Sequence, residues 1–170
     1  MRYLVLVVVV ALAWLGLALR FVTHLPVAKV EAASAEMIAQ AGGPNRLLHQ
    51  PLPDAQWRTI VRPSTDLLYS ALAYDLVDGP VELIFPPHDD YWSVQFIDLH
   101  TSSFAHAGGA TGSTEPSRVV LAEHGIPGEE RIVLAPTTRG VMLLRYLVRD
   151  PATDVPALDI LRREVVVRPR

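Results

Sequence analysis

The sequence predicts an α+β protein, with an N-terminal transmembrane helix followed by a mainly antiparallel β-sheet domain and a C-terminal helix. Residues 3–22 are almost wholly apolar, several segments between residues 56 and 148 alternate apolar and polar residues, and an apolar stripe at helical spacing follows at residues 154–165. Alternation is typical of strands and the wider spacing of helices, so the strands of the domain come first and its helix comes last.

The apolar N-terminal run is the clearest feature of the chain. Arg20 is the one charged residue in residues 3–22, and a helix of that length is about 30 Å long, which matches the hydrocarbon core of a bilayer. We therefore expect contact with the lipid bilayer through residues 3–22. The rival interpretation is a secretory signal cleaved at residues 33–35, but several polar residues separate the run from that position and favour an uncleaved signal anchor.

The chain divides into three predicted segments. Residues 1–24 are a transmembrane signal anchor, residues 25–43 an amphipathic juxtamembrane helix that stops at Gly42-Gly43, and residues 44–170 one β-rich domain. The juxtamembrane helix can pack on the domain, lie on the membrane surface or act as a stalk. Its weakly apolar stripe consists of Val27, Val30, Ser34, Met37, Ile38 and Ala41.

Composition excludes several classes of function. The chain of 170 residues has no cysteine, which excludes disulfides, thiol nucleophiles and thiolate metal sites. Its net charge of −3 offers no basic stripe, so we expect no nucleic-acid partner. Four arginines crowd the C-terminus, where we expect a solvated surface: Arg162, Arg163, Arg168 and Arg170.

Strands are predicted in order along the domain after an irregular, proline-rich stretch at residues 44–54. The periodic segments are residues 56–62, 68–77, 81–85, 91–99, 118–122, 131–135 and 140–148. Asp78-Gly79 predicts a hairpin between the second and third of these strands. Residues 102–117, which are rich in glycine, alanine, serine and threonine, are predicted to form a long loop.

The last predicted element is a helix. Asp154 is a suitable N-cap residue, and Pro156 follows at the second helical position, where a missing N–H costs little. Leu158, Leu161 and Val165 lie at helical spacing and form the predicted buried stripe.

Two stretches of the domain resemble a known family. IVRPSTDLLYSALAYDLVDGPVELIFPP, which begins at Ile60, and YWSVQFIDLHTSSFAHAGGATG, which begins at Tyr91, resemble the bacterial domain of unknown function 1254 in its short, membrane-anchored form. Members of that family typically read R-P-N-x-D-T-L-Y-S, then G-P-V, then D-x-x-T-N-x-F-A and a closing T-G. This sequence departs from the family at Ser64, where an asparagine is usual, and at Ser102-Ser103, which replace a Thr-Asn pair.

The resemblance implies a location and a partner. It implies no reaction, because the family has no settled activity. Its members often occur beside, or fused to, a second domain of unknown function numbered 1214, and many short members are anchored in the cell envelope. By this resemblance we expect a single-pass protein of the bacterial inner membrane with its domain in the periplasm. We expect it to act as one half of a two-component assembly with a partner that resembles the 1214 domain.

The alternative function is an envelope enzyme, or a module that binds a small ligand or glycan, with a polar pocket around Asp66 and Asp98. Polar side chains that converge at strand ends build such pockets. The acid–base candidates are Asp66, Tyr69, Asp98 and His100, and the ligand-binding candidates are Arg62, Gln95, Thr101 and Arg145. A purely structural role is the favoured interpretation for Asp66 with Arg62, since a buried Arg–Asp pair fixes a loop.

No motif specifies a metal, a cofactor or acyl transfer. The histidines and aspartates that could ligate a metal lack a ligand spacing that defines a site: His88, Asp89, Asp90, His100, His106 and His124. The chain has no G-x-S-x-G elbow, and no G-K-[ST] follows its glycines at 108, 109 and 112. We therefore expect no metal and no cofactor, and the residues leave open whether the chain is an enzyme.

Overall fold

The computed structural model of the chain describes residues 2–54, 63–108, 114–129 and 131–170. Its first element, helix α1 (Arg2–Ala41), joins the two predicted N-terminal helices into one continuous helix. Among the described residues this is the helix that is long and apolar enough to cross a membrane, and its apolar side chains from Val5 to Leu25 are exposed. The predicted strand at residues 56–62, with the candidate residue Arg62, lies outside the described residues.

The second half of α1 packs on the domain. The side chains that are shielded from solvent include Val30, Ser34 and Met37, which belong to the predicted stripe, and the helix contacts three strands of one sheet. The helix ends at Gly42 and Gly43, whose φ angles of 76° and 148° are unfavourable for other residues.

Nine strands and a second helix form the rest of the described chain. Their bounds are β1 (Leu47–His49), β2 (Leu67–Asp75), β3 (Val81–Phe85), β4 (Trp92–Asp98), β5 (Ser103–Gly108), β6 (Ser117–Ala122), β7 (Ile132–Leu134), β8 (Arg139–Leu147), α2 (Pro151–Arg163) and β9 (Val166–Pro169).

The strands form two sheets. The five-stranded sheet has the order β1-β2-β8-β4-β5, and the four-stranded sheet has the order β7-β6-β3-β9. All neighbouring strands are antiparallel except β6 and β7, which are parallel. The predicted fold class is therefore confirmed: an N-terminal apolar helix, mainly antiparallel sheets and a helix near the C-terminus.

The core lies between the two sheets. Alternate residues of β4 and β8 are buried, and they share one hydrophobic cluster with residues of β3 and β6. Helix α2 adds Leu158 to the same cluster. Because the buried set of β4 and β8 repeats every second residue, each strand presents its other residues on the side away from the four-stranded sheet, which we call the outer face of the five-stranded sheet.

Two predictions about the strands are wrong: a hairpin that does not form and a loop that contains a strand. The turn at Asp78-Gly79 does not close a hairpin, because β2 pairs with β1 and β8 while β3 pairs with β6 and β9, in the other sheet. Local turn residues reverse the chain but do not decide which strands it joins. The predicted long loop contains β5, which pairs with β4 through small side chains of low strand propensity.

The second helix begins earlier than predicted. Its N-cap is Asp150, whose side chain accepts a hydrogen bond from the Ala152 N–H, and Pro151 occupies the first turn. Asp154 lies inside that turn, where its carboxylate accepts from the N–H groups of Arg149 and Asp150 at 2.7 and 2.8 Å. Strand β9 follows the helix, so the domain ends with a strand that the sequence did not predict.

An ion-pair network fixes β9 to the four-stranded sheet. Glu82 accepts hydrogen bonds from Arg118 and Arg168, and Glu129 accepts from Arg118 and Arg170. These contacts hold the pKa of both carboxyl groups below the usual value. Arg168 and Arg170 are exposed, as predicted, and each also pairs with a glutamate of this network.

Candidate functional site

The structure separates the two aspartates of the predicted pocket. Asp66 immediately precedes β2, beside Val148, whose N–H donates to the Asp66 carbonyl at 2.8 Å. Asp98 ends β4 opposite Gly140, at the other end of β8. The length of β8 puts the two aspartates roughly 25 Å apart. They do not share a pocket.

Asp98 and His100 belong to a turn. Strand β4 ends at Asp98, so His100 does not continue along a shared strand face, as was expected. The Asp98 carboxylate is buried and accepts from the N–H groups of His100 and Ser102, each at 2.8 Å. The His100 ring is exposed, and its Nδ1 lies 4.0 Å from Asp98 Oδ2. This arrangement closes the turn between β4 and β5.

Tyr69 holds the segment before β2. Its hydroxyl accepts a hydrogen bond from the Ser64 N–H at 3.0 Å, and its side chain is buried. Asp66 is exposed beside it and shares a hydrogen bond with Thr65. Thr101 lies in the β4–β5 turn with a φ of 67°. In the described structure, Asp66, Tyr69 and Thr101 therefore take part in local turns and hydrogen bonds.

Two of the predicted ligand-binding residues do meet. Arg145 on β8 donates a hydrogen bond to the Gln95 side-chain oxygen on β4, and both residues lie on the outer face of the five-stranded sheet. Within the described ranges, no carboxylate lies within 4 Å of the Arg145 guanidinium. A guanidinium bonded to a neutral amide keeps donors and a positive charge for a further partner.

A groove lies next to this pair, between α1 and the outer face. Its volume is about 260 Å³. Most of its lining is aliphatic, with a few polar residues at the edges: Ala33, Glu36, Met37, Gln40, Leu48, Gln50, Ala71, Ile97, Val141 and Leu143. Helix α1 contacts β2, where the outer-face residues Ala71 and Ala73 are small.

Register places Arg145 at one end of the groove. Leu143 lines the groove, and Arg145 is the next residue of β8 on the same face. Gln95 lies directly opposite Leu143 on β4, so the hydrogen bond to Gln95 turns the guanidinium back toward Leu143. We call the groove together with Arg145 and Gln95 the outer groove.

A second polar cluster was not predicted and lies under α2. His49 Nδ1 is 2.9 Å from Ser70 Oγ. Arg162 donates to the backbone oxygens of Gln50 and Tyr69 at 2.8 Å and is only 5% exposed, so the expectation of a solvated Arg162 is wrong. Its guanidinium also bonds Asp159. We call His49, Ser70, Asp159 and Arg162 the inner cluster.

The inner cluster is closed. Burial, and then the positive charges of Arg162 and Arg163, lower the pKa of His49 from 6.5 to about 4, so the ring is neutral at physiological pH. Ser70 is 0% exposed, which gives a substrate no route to its hydroxyl. No periodicity or motif points to this cluster, because its members come from a three-residue strand, β2 and α2.

The candidate metal ligands do not form one cluster. In the part of the chain that the structure describes, no three histidine or acidic side chains converge as metal ligands would. Asp90 pairs instead with Arg149 at 2.7 Å, and His106 on β5 lies 3.3 Å from the Ser103 hydroxyl.

The family model described as "Protein of unknown function (DUF1254)" matches residues 44–169, which is most of the chain and nearly all of the domain. The chain belongs to the DUF1254 family. This agrees with the resemblance predicted from its motifs. A search of curated proteins found no match.

Two solved structures are similar in fold to this chain. The VPA0106 protein from Vibrio parahaemolyticus is 17% identical, with a TM-score of 0.57 over 82% of this chain and 35% of its own. An uncharacterized protein from Burkholderia cenocepacia is 16% identical, with a TM-score of 0.50 over 81% of this chain and 38% of its own. The chain thus spans little more than a third of the length of these two proteins.

Proposed function

We propose that this DUF1254 protein is anchored by α1 in a bacterial inner membrane, with its domain in the periplasm as part of the cell envelope. We further propose that it is one half of a two-component assembly with a DUF1214-like partner. The exposed apolar side chains of α1 support the anchor, because such a surface is stable in hydrocarbon and unfavourable in water. The role requires no catalytic residue in this chain.

The length comparison carries the partner proposal. The domain corresponds to 35% and 38% of two longer proteins of similar fold, so most of each longer chain has no counterpart here. We propose that the partner corresponds to the part of the longer proteins that this chain does not cover. The alternative function has less support, because its two aspartates lie at opposite ends of β8.

Strand β5 is the surface that we propose for the partner. It lies at the end of the five-stranded sheet, and no described strand pairs with its outer edge. Its six residues include no proline, lysine, arginine or acid, which are the residues that usually block edge pairing. The other edge strands are three residues long or carry proline and arginine. A partner strand added to β5 would gain backbone hydrogen bonds.

Affinity purification of the full chain from its native membrane, coexpressed with a DUF1214-like protein, tests the proposal. We expect the partner to copurify in a stoichiometric amount. A lysine in place of His106 on β5 should reduce its recovery severalfold, because an edge lysine opposes strand addition. The matched control is Ala157→Lys, on an exposed position of α2.

The outcomes separate the two parts of the proposal. If no partner copurifies with the native chain, the two-component assembly is wrong. If the partner binds the native chain and His106→Lys equally well, the assembly stands but docking through β5 is wrong.

A further inference from the structure

We propose that the outer groove binds a long-chain fatty acid, with its hydrocarbon chain between α1 and the sheet and its carboxylate on Arg145 and Gln95. This inference is independent of the partner, because the groove lies on the α1 side of the sheet and β5 lies at the opposite edge. It assigns a ligand to the two predicted binding residues that the fold brings together.

The lining of the groove selects the chain of the ligand. Met37 and Ala33 face it from α1, and Ile97, Val141 and Leu143 face it from the sheet. A cavity of about 260 Å³ lies just below the range of roughly 300–1,000 Å³ that is typical of small-molecule sites. That volume suits a flexible hydrocarbon segment, which gains affinity from each methylene group removed from water.

The charge at the end of the groove selects the head group. Arg145 donates to the Gln95 amide oxygen, and none of the described carboxylates neutralises it. A guanidinium presents paired N–H donors that match the two oxygens of a carboxylate. The Gln95 amide group adds an N–H₂ donor beside it. An acid thus satisfies both residues, whereas a neutral head group leaves the positive charge unpaired.

The acidic residue at the groove lies on the helix wall. Glu36 belongs to α1, is exposed, and accepts a hydrogen bond from the Gln40 amide at 3.1 Å. The positive group, Arg145, lies on the sheet, at the next outer-face position of β8 after the lining residue Leu143. An anionic head therefore binds at the Arg145 end, and the hydrocarbon chain extends beneath α1.

The test uses the full chain in nanodiscs of phosphatidylcholine, a lipid without net charge. The probes are a dansyl-labelled undecanoic acid and the corresponding dansyl-labelled alcohol, measured by fluorescence against empty nanodiscs. We expect saturable binding of the acid to the native protein. Arg145→Gln should weaken acid binding by about tenfold and leave alcohol binding nearly unchanged, because only the acid loses a charged hydrogen bond.

Two further variants keep the test decisive. Arg139→Gln removes another arginine of β8 that is paired with Asp75, and acid binding should stay at the native level. Leu143→Trp fills the groove, and binding of both probes should fall. Circular dichroism confirms that each variant is folded.

Three results would overturn the proposal. The native protein could bind the acid no better than empty nanodiscs, Arg145→Gln could weaken both probes equally, or Arg139→Gln could weaken acid binding as much as Arg145→Gln. Should Leu143→Trp fail to fold, the comparison of the two arginine variants still decides the outcome.

Discussion

The five-stranded sheet carries a polar cluster on each side, and the two clusters differ in how completely their donors are bonded. In the inner cluster, Arg162 reaches two backbone carbonyls and the carboxylate of Asp159, and its surroundings exclude solvent. In the outer groove, Arg145 bonds a neutral amide beside an open, aliphatic cavity. Both contain an arginine on or beside the same sheet. Of these two arginines, only Arg162 has an ionic partner among the described residues.

The difference in bonding distinguishes an arginine that serves the fold, Arg162, from an arginine that has donors left for a ligand, Arg145. A buried charge is costly unless it is hydrogen-bonded, so we expect the bonds of Arg162 to contribute to stability. A partly solvated arginine has no such requirement, and its remaining donors are available to a ligand. The predictions below test whether the inner cluster provides stability and the outer groove does not.

The largest expected effect is that of Arg162→Leu. The change leaves the half-buried Gln50 carbonyl without this donor, and a buried group left without its hydrogen bond typically costs about 1–3 kcal/mol. Arg163→Leu is the matched control, because Arg163 bonds the same aspartate from an exposed position and its loss should be clearly smaller. Urea unfolding of the full chain in detergent micelles measures both values.

Equal losses in the two variants would contradict the comparison, because they would mean that burial of the guanidinium contributes nothing. The outer groove supplies a second reference. Arg145→Gln should lower the free energy of unfolding by no more than about 1 kcal/mol, because the half-buried Arg145 loses one hydrogen bond to a neutral amide.

A smaller effect is expected from pH. The folded chain holds His49 neutral down to about pH 4, whereas the unfolded chain binds a proton near pH 6.5. The unfolded state therefore binds more protons in this interval, and stability falls as the pH is lowered from 6.5 to 4. The slope contributed by His49 is at most about 1.4 kcal/mol per pH unit, and partial exposure of the ring reduces it.

His49→Gln isolates this contribution, because glutamine can still bond the Ser70 hydroxyl but does not titrate. Unfolding measured at pH 7, 5.5 and 4.5 should show a weaker pH dependence in the variant than in the native chain. Asp90 and Asp159, whose pKa values are lowered to about 2 by their arginine partners, lose their contribution only below about pH 4. An unchanged slope in His49→Gln would assign the acid sensitivity to other groups.

The sequence predicts β4 and β8 well because their burial repeats every second residue. β4 and β8 alternate between buried and partly exposed positions over their lengths, which is the pattern that periodicity detects. β1 has three residues and β9 has four, too few for a period, and β5 consists mostly of small side chains. Strand pairing was harder still, because a turn such as Asp78-Gly79 carries no information about distant neighbours.

For the candidate sites, too, the sequence indicates the residues but not which of them meet in the fold. Gln95 and Arg145 were chosen from the sequence, but their contact depends on the pairing of β4 with β8 across fifty positions of the chain. The inner cluster depends on three elements that meet only in the folded domain, and His49 lies in a stretch that was predicted to be irregular. The residue types indicate which polar groups are available, and the strand topology determines which of these side chains meet.

The smallest effect is expected in the turn between β4 and β5, which belongs to neither polar cluster. Thr101 has a φ of 67° at the last position of a three-residue turn, where glycine is usual because a β-branched side chain is strained there. Thr101→Gly should relieve that strain and stabilise the chain by roughly 0.5–1 kcal/mol, after allowing for the added freedom of the unfolded state. The same urea measurement tests it, with Ser102→Gly as the control for added flexibility. A loss of stability in Thr101→Gly would show that the threonine side chain makes a contact that outweighs its strain, and would return this residue to the ligand-binding candidates.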